Sequence, residues 1–302
     1  MGDSIVALAG TETGAKLALA LALVSALAHA IFAAINKGGL DPYLNRGVIN
    51  VAYSIMAAPF ALFVFPLPEP HLIPILLLSY ILHIIYEWFV AAAFTKGEFT
   101  LVYPIARGTS PLITAALSLI IFSESLESSQ WFGMFLLSGA IISFAGINLA
   151  QKGRTSEIQK LLLPSILLAI GAGVMIALYT TVDAYGIRAT ADPFTLIAWF
   201  FFMGGFGFPM IAFWRWKQLE LKPAIMPLVS RAIIGALVAF FSFATLMLAT
   251  RVGKVSEAAA LRETSIVFAT IIGILFFKEK VGPAKLFAIG LIVLGAILIE
   301  FH

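Results

Sequence analysis

The chain has 302 residues, of which 61% are hydrophobic and 12% are charged, and its mean hydropathy is +1.02. This usage lies far outside that of soluble globular domains and indicates an integral membrane protein. The formal net charge of +3, without a basic tract, argues against a nucleic-acid partner, and the zero cysteines exclude disulfides and thiolate chemistry.

Ten apolar runs follow one another along the chain, each long enough to cross a bilayer as a helix. Long runs of Leu, Ala, Ile and Phe favour helices over a membrane β-barrel. The predicted spans are approximately 15–35, 47–65, 72–94, 98–122, 131–150, 162–183, 193–213, 225–249, 255–277 and 283–301. We expect no cleavable signal peptide, because acids and no basic region precede the first run.

The longest polar break, 151–160, falls at the midpoint of the chain and predicts two halves of five spans, residues 1–150 and 151–302. Residues 107–110 and 122–124 align with residues 262–265 and 277–279 at one offset, 155 positions. Further matches pair Asp41-Pro42 with Asp192-Pro193 and Gly97 with Gly253. Because each half has an odd number of spans, the halves would be inverted, as in transporters with a midplane site.

Lys and Arg are distributed unevenly between the two sets of loops. The face that follows spans 1, 3, 5, 7 and 9 carries about eleven, including Arg46, and the other face about four. The positive-inside rule therefore predicts that both termini lie outside the membrane-enclosed compartment.

Arg107 lies deep within the fourth run, roughly 13 to 15 Å from its start at 1.5 Å per residue. Burying it there costs at least about 2.5 to 3.5 kcal/mol, and such residues usually face a bundle interior or an aqueous cavity. Pro104 and Pro111 bracket it and leave backbone carbonyls free, which helices lining a cavity tolerate. Arg107 is therefore a candidate substrate ligand.

A hairpin turn at Lys96-Gly97 brings Glu87 to the depth of Arg107, so we expect these two residues to pair. The pair would be either part of a site or a structural ion pair. Arg262 has no acid at matching depth in span 8, and its neighbour Glu263 points about 100° away on a helix. This favours a ligand-binding role for Arg262.

The remaining candidates each have two readings. His29 and His83 either are satisfied core groups or relay protons, and Asp183 is either interfacial or a proton carrier. The three tyrosines either line the site or are interfacial or packing aromatics. Glu124 and Glu279, just past spans 4 and 9, are expected to cap or gate rather than to bind substrate. The predicted substrate-binding residues are Arg262, Arg107, Glu263, Glu87, Tyr86, Tyr103, Tyr179, His29 and His83. The predicted proton-coupling residues are Glu263, Asp183 and Glu87, and no metal or cofactor is expected.

Several segments resemble the drug/metabolite transporter superfamily, in its EamA-type branch. They are VYPIARGTSPL at 102–112, YTTVDAYGIR at 179–188, ALRETS at 260–265, FFKEK at 276–280 and HAIFAAINK at 29–37. The resemblance implies a basket-shaped bundle of ten helices with a central cavity lined by spans 1, 3, 4, 6, 8 and 9. It also implies export or exchange of amino acids and other small polar metabolites. Members are commonly drawn with both termini cytoplasmic, opposite to the charge distribution here.

These observations predict a multi-pass protein of the plasma (inner) membrane, monomeric or homodimeric, that transports a small polar metabolite by alternating access. Arg107 and Arg262 would bind carboxylate or phosphate-like oxygens, and protons would be the coupling ion. HExxH, Walker and GxSxG motifs are missing from the sequence, so we expect no enzyme. The alternatives are a channel or pore and a non-transporting membrane scaffold.

Overall fold

The computed structural model describes residues 2–35, 41–149, 156–278 and 281–300, and this part of the chain contains helices but no strand. Within it, ten helices are long and apolar enough to cross a membrane, which confirms the predicted number. Spans 1 to 10 are Glu12–Ile35, Pro42–Val64, Pro70–Lys96, Leu101–Phe122, Ser128–Ile147, Lys160–Ala189, Pro193–Gln218, Ile225–Val252, Val255–Phe276 and Pro283–Glu300. A short helix, Gly2–Val6, precedes span 1. The predicted boundary between residues 150 and 151, and Glu279, lie outside the described residues.

The helix ends that differ most from the predicted bounds do so for local reasons. Span 2 begins at Pro42 because the Asp41 side chain accepts hydrogen bonds from the N–H groups of Tyr43 and Leu44, at 3.0 and 3.3 Å. The prediction started this span at residue 47 because it excluded the polar first turn. Span 6 continues to Ala189 rather than residue 183. This extension places Asp183 inside the bundle.

Matched residues of the two halves adopt the same local geometry. Asp192 caps span 7 by accepting from the Phe194 N–H at 3.2 Å, as Asp41 caps span 2. Ser123 and Lys278, at the ends of spans 4 and 9, both have a φ of 54° in the left-handed region. They are the only non-glycine residues with positive φ in the part of the chain that the structure covers. This agreement supports a duplicated unit.

The spans pack in pairs that correspond between the halves. Span 1 packs on span 8 as span 6 packs on span 3, while span 2 contacts span 7 and span 5 contacts span 10. Spans 4 and 9 meet each other between these groups. Exchanging the two halves would reproduce this set of neighbours, as a repeat requires. The inverted orientation of the halves stays a prediction.

Glycine controls the approach of several helices. Span 7 consists of two helices, Pro193–Gly204 and Phe208–Gln218, separated by a glycine-rich turn. This is the bend that its Gly-Gly-Phe-Gly sequence permits. Spans 5 and 10 approach backbone to backbone, because a Cβ on Gly295 would lie 2.8 Å from the Gly133 carbonyl oxygen.

We predict that Gly295→Ala lowers the stability of the bundle by about 1 to 3 kcal/mol, because its methyl group overlaps backbone atoms of span 5. Gly290→Ala is the matched control, since nothing lies within 4 Å of a Cβ at this position of the same helix. It should be neutral, or stabilising by up to about 1 kcal/mol through helix propensity. Thermal unfolding in detergent measures both, and equal midpoints would contradict the proposed contact.

Candidate functional site

Span 9 is broken at the centre of the bundle, and the break presents two charged residues. The helix Val255–Arg262 ends there, and a second helix, Ser265–Phe277, follows. The N–H groups of Glu263 and Thr264 donate to carbonyls three residues back, at 3.0 and 3.1 Å, which tightens the turn. No proline or glycine marks this break in the sequence. Discontinuous helices of this kind form the binding sites of many transporters.

The ion pair at the centre joins the two halves of the chain. Nη1 of Arg107 on span 4 donates to Oε1 of Glu263 on span 9 at 2.9 Å, and both side chains are almost fully buried. The predicted pairing of Arg107 with Glu87 is therefore wrong. Equal depth on a hairpin does not make two side chains face each other, and Glu87 instead faces span 2.

Glu87 is held by two residues of span 2. Its Oε2 accepts from the Asn50 amide at 2.8 Å, and its Oε1 lies 3.8 Å from Nε of Arg46. Arg46 thus points into the bundle, which corrects its assignment to a loop in the charge count. A cavity of about 30 Å³ beside Glu87, partly lined by Tyr53 and His83, has room for about one water.

Asp183 of span 6 forms a second acidic centre with span 3. Its Oδ2 lies 2.9 Å from Nε2 of His83, and its Oδ1 accepts a hydrogen bond from Ser79. The Asp183 residue is 7% exposed, so the interfacial alternative is wrong. We call His83, Asp183 and Glu87 the acidic centre.

Tyr86 and Tyr179 are buried in the bundle, and Tyr103 is partly buried, so none of them is an interfacial anchor. The Tyr179 ring lies 4.0 Å from the His83 ring and 5.1 Å from the Tyr86 ring, measured between centroids. The Tyr103 ring stacks on His29 at 6.3 Å and lies below the Arg107 guanidinium. The Tyr179 hydroxyl is buried and has no hydrogen-bond partner among the residues that the structure describes. A buried donor of this kind is available to a ligand.

His29 of span 1 lies between the two arginines. Its Nε2 contacts Nη2 of Arg107, and its Nδ1 lies 3.3 Å from Nη2 of Arg262 and 3.4 Å from the Ser242 hydroxyl. All of these residues are buried. We call His29, Arg107, Arg262 and Glu263 the arginine centre.

Arg262 is less well compensated than Arg107. It is 1% exposed, and in the part of the chain that the structure describes it forms no ion pair. Its guanidinium lies 4.6 Å above the Phe243 ring and 3.5 Å from the Ser242 hydroxyl, while its Nε has no hydrogen-bond partner. A buried cation without a counter-charge is costly unless an anion binds to it.

The structure therefore groups the predicted charged and histidine residues into two neighbouring centres, and the three predicted tyrosines lie against their members. Sequence reasoning missed several of their partners, namely Arg46, Asn50, Ser79, Ser242 and Phe243. The signal for Asn50 was present, because a polar side chain in an apolar run is costly. Serine and phenylalanine are ordinary in such runs and give no comparable signal.

A cavity of about 710 Å³ opens on the face where span 1 begins and span 10 ends, which we call the terminal face. Its lining includes Arg188, Arg251 and Lys254, and it reaches Leu261, the residue before Arg262. We call this cavity the vestibule.

Glu124 connects three spans at the terminal face. Its carboxylate oxygens lie 3.0 and 2.9 Å from the backbone nitrogen of Val255, the first residue of span 9. Arg188, near the end of span 6, donates to the same carboxylate at 2.7 Å. The predicted capping role of Glu124 is confirmed. Because the N-terminus of a helix carries partial positive charge, the carboxylate stabilises it.

Glu69 joins two other loops at this face. It accepts from the Ala191 N–H at 2.9 Å. Partial burial alone would raise the pKa of the Glu69 carboxyl, but hydrogen bonds from Ala191 and Thr190 outweigh it and lower that pKa below its ordinary value.

Comparison with known proteins places the second half of the chain in a family. Residues 163–301 match the EamA-like transporter family, as the sequence resemblance predicted. A solved structure titled "Crystal structure of protein" has the same fold, with a TM-score of 0.70 over 96% of this chain and 98% of its own. The two sequences are 16% identical, so this likeness concerns the fold alone. No curated protein matches the chain.

We predict that Arg107→Gln destabilises the bundle more than Arg262→Gln. The first change leaves the buried Glu263 without its cation, which costs about 3 to 5 kcal/mol, whereas the second strands no acid. Adding Glu263→Gln to Arg107→Gln should recover part of the loss. Thermal midpoints of the three variants test this, and equal losses for the two single variants would contradict the assigned pairing.

We predict that Glu124→Ala lowers stability by about 1 to 2 kcal/mol, because span 9 loses its N-terminal cap and Arg188 loses a partner. Glu127→Ala in the same loop is the matched control, since this residue is exposed and should tolerate the change. Proteolysis or hydrogen exchange at residues 253–258 should increase only in the Glu124 variant. Unchanged protection there would contradict the capping role.

Proposed function

Because the second half of the chain matches the EamA-like transporter family, we propose that this protein is a secondary active transporter that exports or exchanges a small anionic or zwitterionic metabolite. The observation that carries this proposal is Arg262, a fully buried guanidinium with an unpartnered Nε and no carboxylate partner among the described residues. Arginine binds carboxylates and phosphates through two parallel hydrogen bonds, so an anionic group of the substrate would supply the missing acceptors.

The acidic centre supports a substrate that also carries an amino group. Phe243 lies between the two centres, 4.6 Å from the Arg262 guanidinium carbon and 5.7 Å from the His83 ring centroid. A molecule bound across this ring would place its anionic end at Arg262 and a cationic end near Asp183 or Glu87. An amino acid has this charge distribution. The same carboxylates, with Glu263, are the candidates for a coupling proton.

The route from the vestibule to the arginine centre supports an alternating-access mechanism rather than an open pore. The vestibule ends at Leu261, and the buried Arg107–Glu263 pair lies beyond it. On the opposite face, Arg215 of span 7 and Asp41 before span 2 form an ion pair at 2.9 Å. The substrate would therefore enter from the terminal face and be released after a rearrangement of the packed spans. A buried arginine with no carboxylate partner among the described residues also disfavours a scaffold, which would gain nothing from the cost of burying this charge.

We predict that Arg107→Ala and Arg262→Ala each abolish transport in proteoliposomes. For Arg262→Ala, the transport rate should fall at least about a hundredfold, because a bidentate pair with the substrate is worth about 3 kcal/mol. A thermal-shift screen of amino acids, phosphonates, nucleosides and nucleobases first identifies the substrate, because a ligand stabilises the folded state. Lys16→Ala is the control, since this side chain is 76% exposed.

Transport is then measured with and without an imposed pH gradient. Saturable uptake that depends on the gradient and on both arginines supports the proposal. Uptake that survives both substitutions and ignores the gradient contradicts it. Single-channel currents with flux that does not saturate would instead identify a pore.

A further inference from the structure

The contacts of His29 contain a mismatch between donors and acceptors. Each of its two ring nitrogens faces a guanidinium, Nε2 facing Arg107 and Nδ1 facing Arg262. A neutral imidazole has one acceptor nitrogen and one N–H donor, so it satisfies only one of the two arginines. Ser242 resolves the choice, because its hydroxyl donates to the Ser25 carbonyl at 3.3 Å and can accept from Nδ1–H at 3.4 Å. Nε2 then accepts from Arg107, and Arg262 has no acceptor on His29 and only the long contact to the Ser242 hydroxyl, at 3.5 Å.

The charges around His29 also show that the two arginines are not fully compensated. The groups that face it directly or through a partner are Arg107 and Tyr103 on span 4, Ser242 on span 8, Arg262 and Glu263 on span 9, and Arg46 on span 2. Arg46 has its own carboxylate in Glu87. The two guanidiniums that contact His29 share one carboxylate, Glu263, so the arginine centre with neutral His29 has one excess positive charge.

We propose that the arginine centre binds a monoanionic group without a proton, and a dianionic group together with one proton that His29 holds. This inference rests on the proposed function, because it assigns the charge state of the substrate and the coupling proton of the same site. It assigns the coupling proton for a dianion to His29 rather than to Glu263, Asp183 or Glu87.

The mechanism follows from the geometry of the ring. In the empty centre, a proton on Nε2 would direct an N–H at the Arg107 guanidinium, and the ring would become a third cation beside one carboxylate. A bound dianion reverses this balance, because it accepts from Arg262 and from Nδ1–H and supplies two negative charges. Protonation of Nε2 then releases Arg107 from the ring to donate to the same anion. Proton and dianion therefore strengthen each other's binding by the same factor.

Two probes that do not titrate near neutral pH separate these cases. Sulfate is a dianion and methanesulfonate is a monoanion, so any proton taken up on binding must come to the protein. Isothermal titration calorimetry of the purified full chain, in buffers with different ionisation enthalpies, counts these protons. We expect about one proton per sulfate and an affinity for sulfate that rises up to tenfold per unit decrease in pH. Methanesulfonate should take up few protons, and its affinity should change little.

Variants assign the proton and the site. His29→Asn should abolish proton uptake with sulfate and weaken sulfate binding at low pH, and His29→Gln provides a second variant if the first is unstable. Arg262→Gln should abolish binding of both probes, which separates binding at the arginine centre from binding at the basic side chains of the vestibule. His71→Asn is the matched control, because this exposed histidine lies in the loop before span 3 and should leave proton uptake unchanged.

Three results would overturn the inference. They are sulfate binding by the wild-type chain without proton uptake, undiminished uptake in a folded His29→Asn or His29→Gln variant, and no binding of either probe. Undiminished uptake would place the proton on Glu263 instead. These results leave the transport assay of the proposed function untouched. Conversely, proton uptake with sulfate would support the inference even if none of the screened metabolites were transported.

Discussion

The structure depends on the compensation of two guanidinium groups buried at the centre of an apolar bundle. Arg107 and Arg262 come from spans 4 and 9, one in each half, and the acid between them, Glu263, comes from the second half alone. An unpaired buried charge would cost several kcal/mol, so the pair fixes how spans 4 and 9 meet. His29 then links both arginines to span 1. The centre thus connects the two halves through charge as well as through packing.

The two halves use their matched residues differently, and this produces the asymmetry of the site. Glu263 aligns with Gly108, where a Cβ would lie 2.6 Å from Ile142 and 3.1 Å from the Ser138 carbonyl oxygen. The first half therefore uses this position for close packing of span 4 on span 5, whereas the second half uses it for the carboxylate. One acid consequently serves two arginines. The excess positive charge of the arginine centre follows from this difference.

The break divides span 9 into a first helix whose start is capped and a second helix that packs in the bundle. The helix Val255–Arg262 is held at its start by Glu124 and carries Arg262 at its end, so it connects the terminal face directly to the centre. The vestibule lies along this helix and reaches Leu261. This short helix is the element that connects the terminal face with the arginine centre.

The sequence by itself determined the class of protein, the ten spans, the matched Asp-Pro pairs of the two halves and the candidate residues of the site. These follow from runs of apolar residues, from Asp-Pro at helix starts, and from charges such as Arg107 that are too costly at membrane depth without a purpose. Only the tertiary structure decided the pairing. The depth of a residue along a helix follows from its position in the sequence. The direction in which a side chain points depends instead on how the helix is rotated and on its neighbours, and this turns Glu87 toward Arg46 and Glu263 toward Arg107. The break at Glu263 is likewise seen only in the structure, because no proline or glycine in the sequence indicates it.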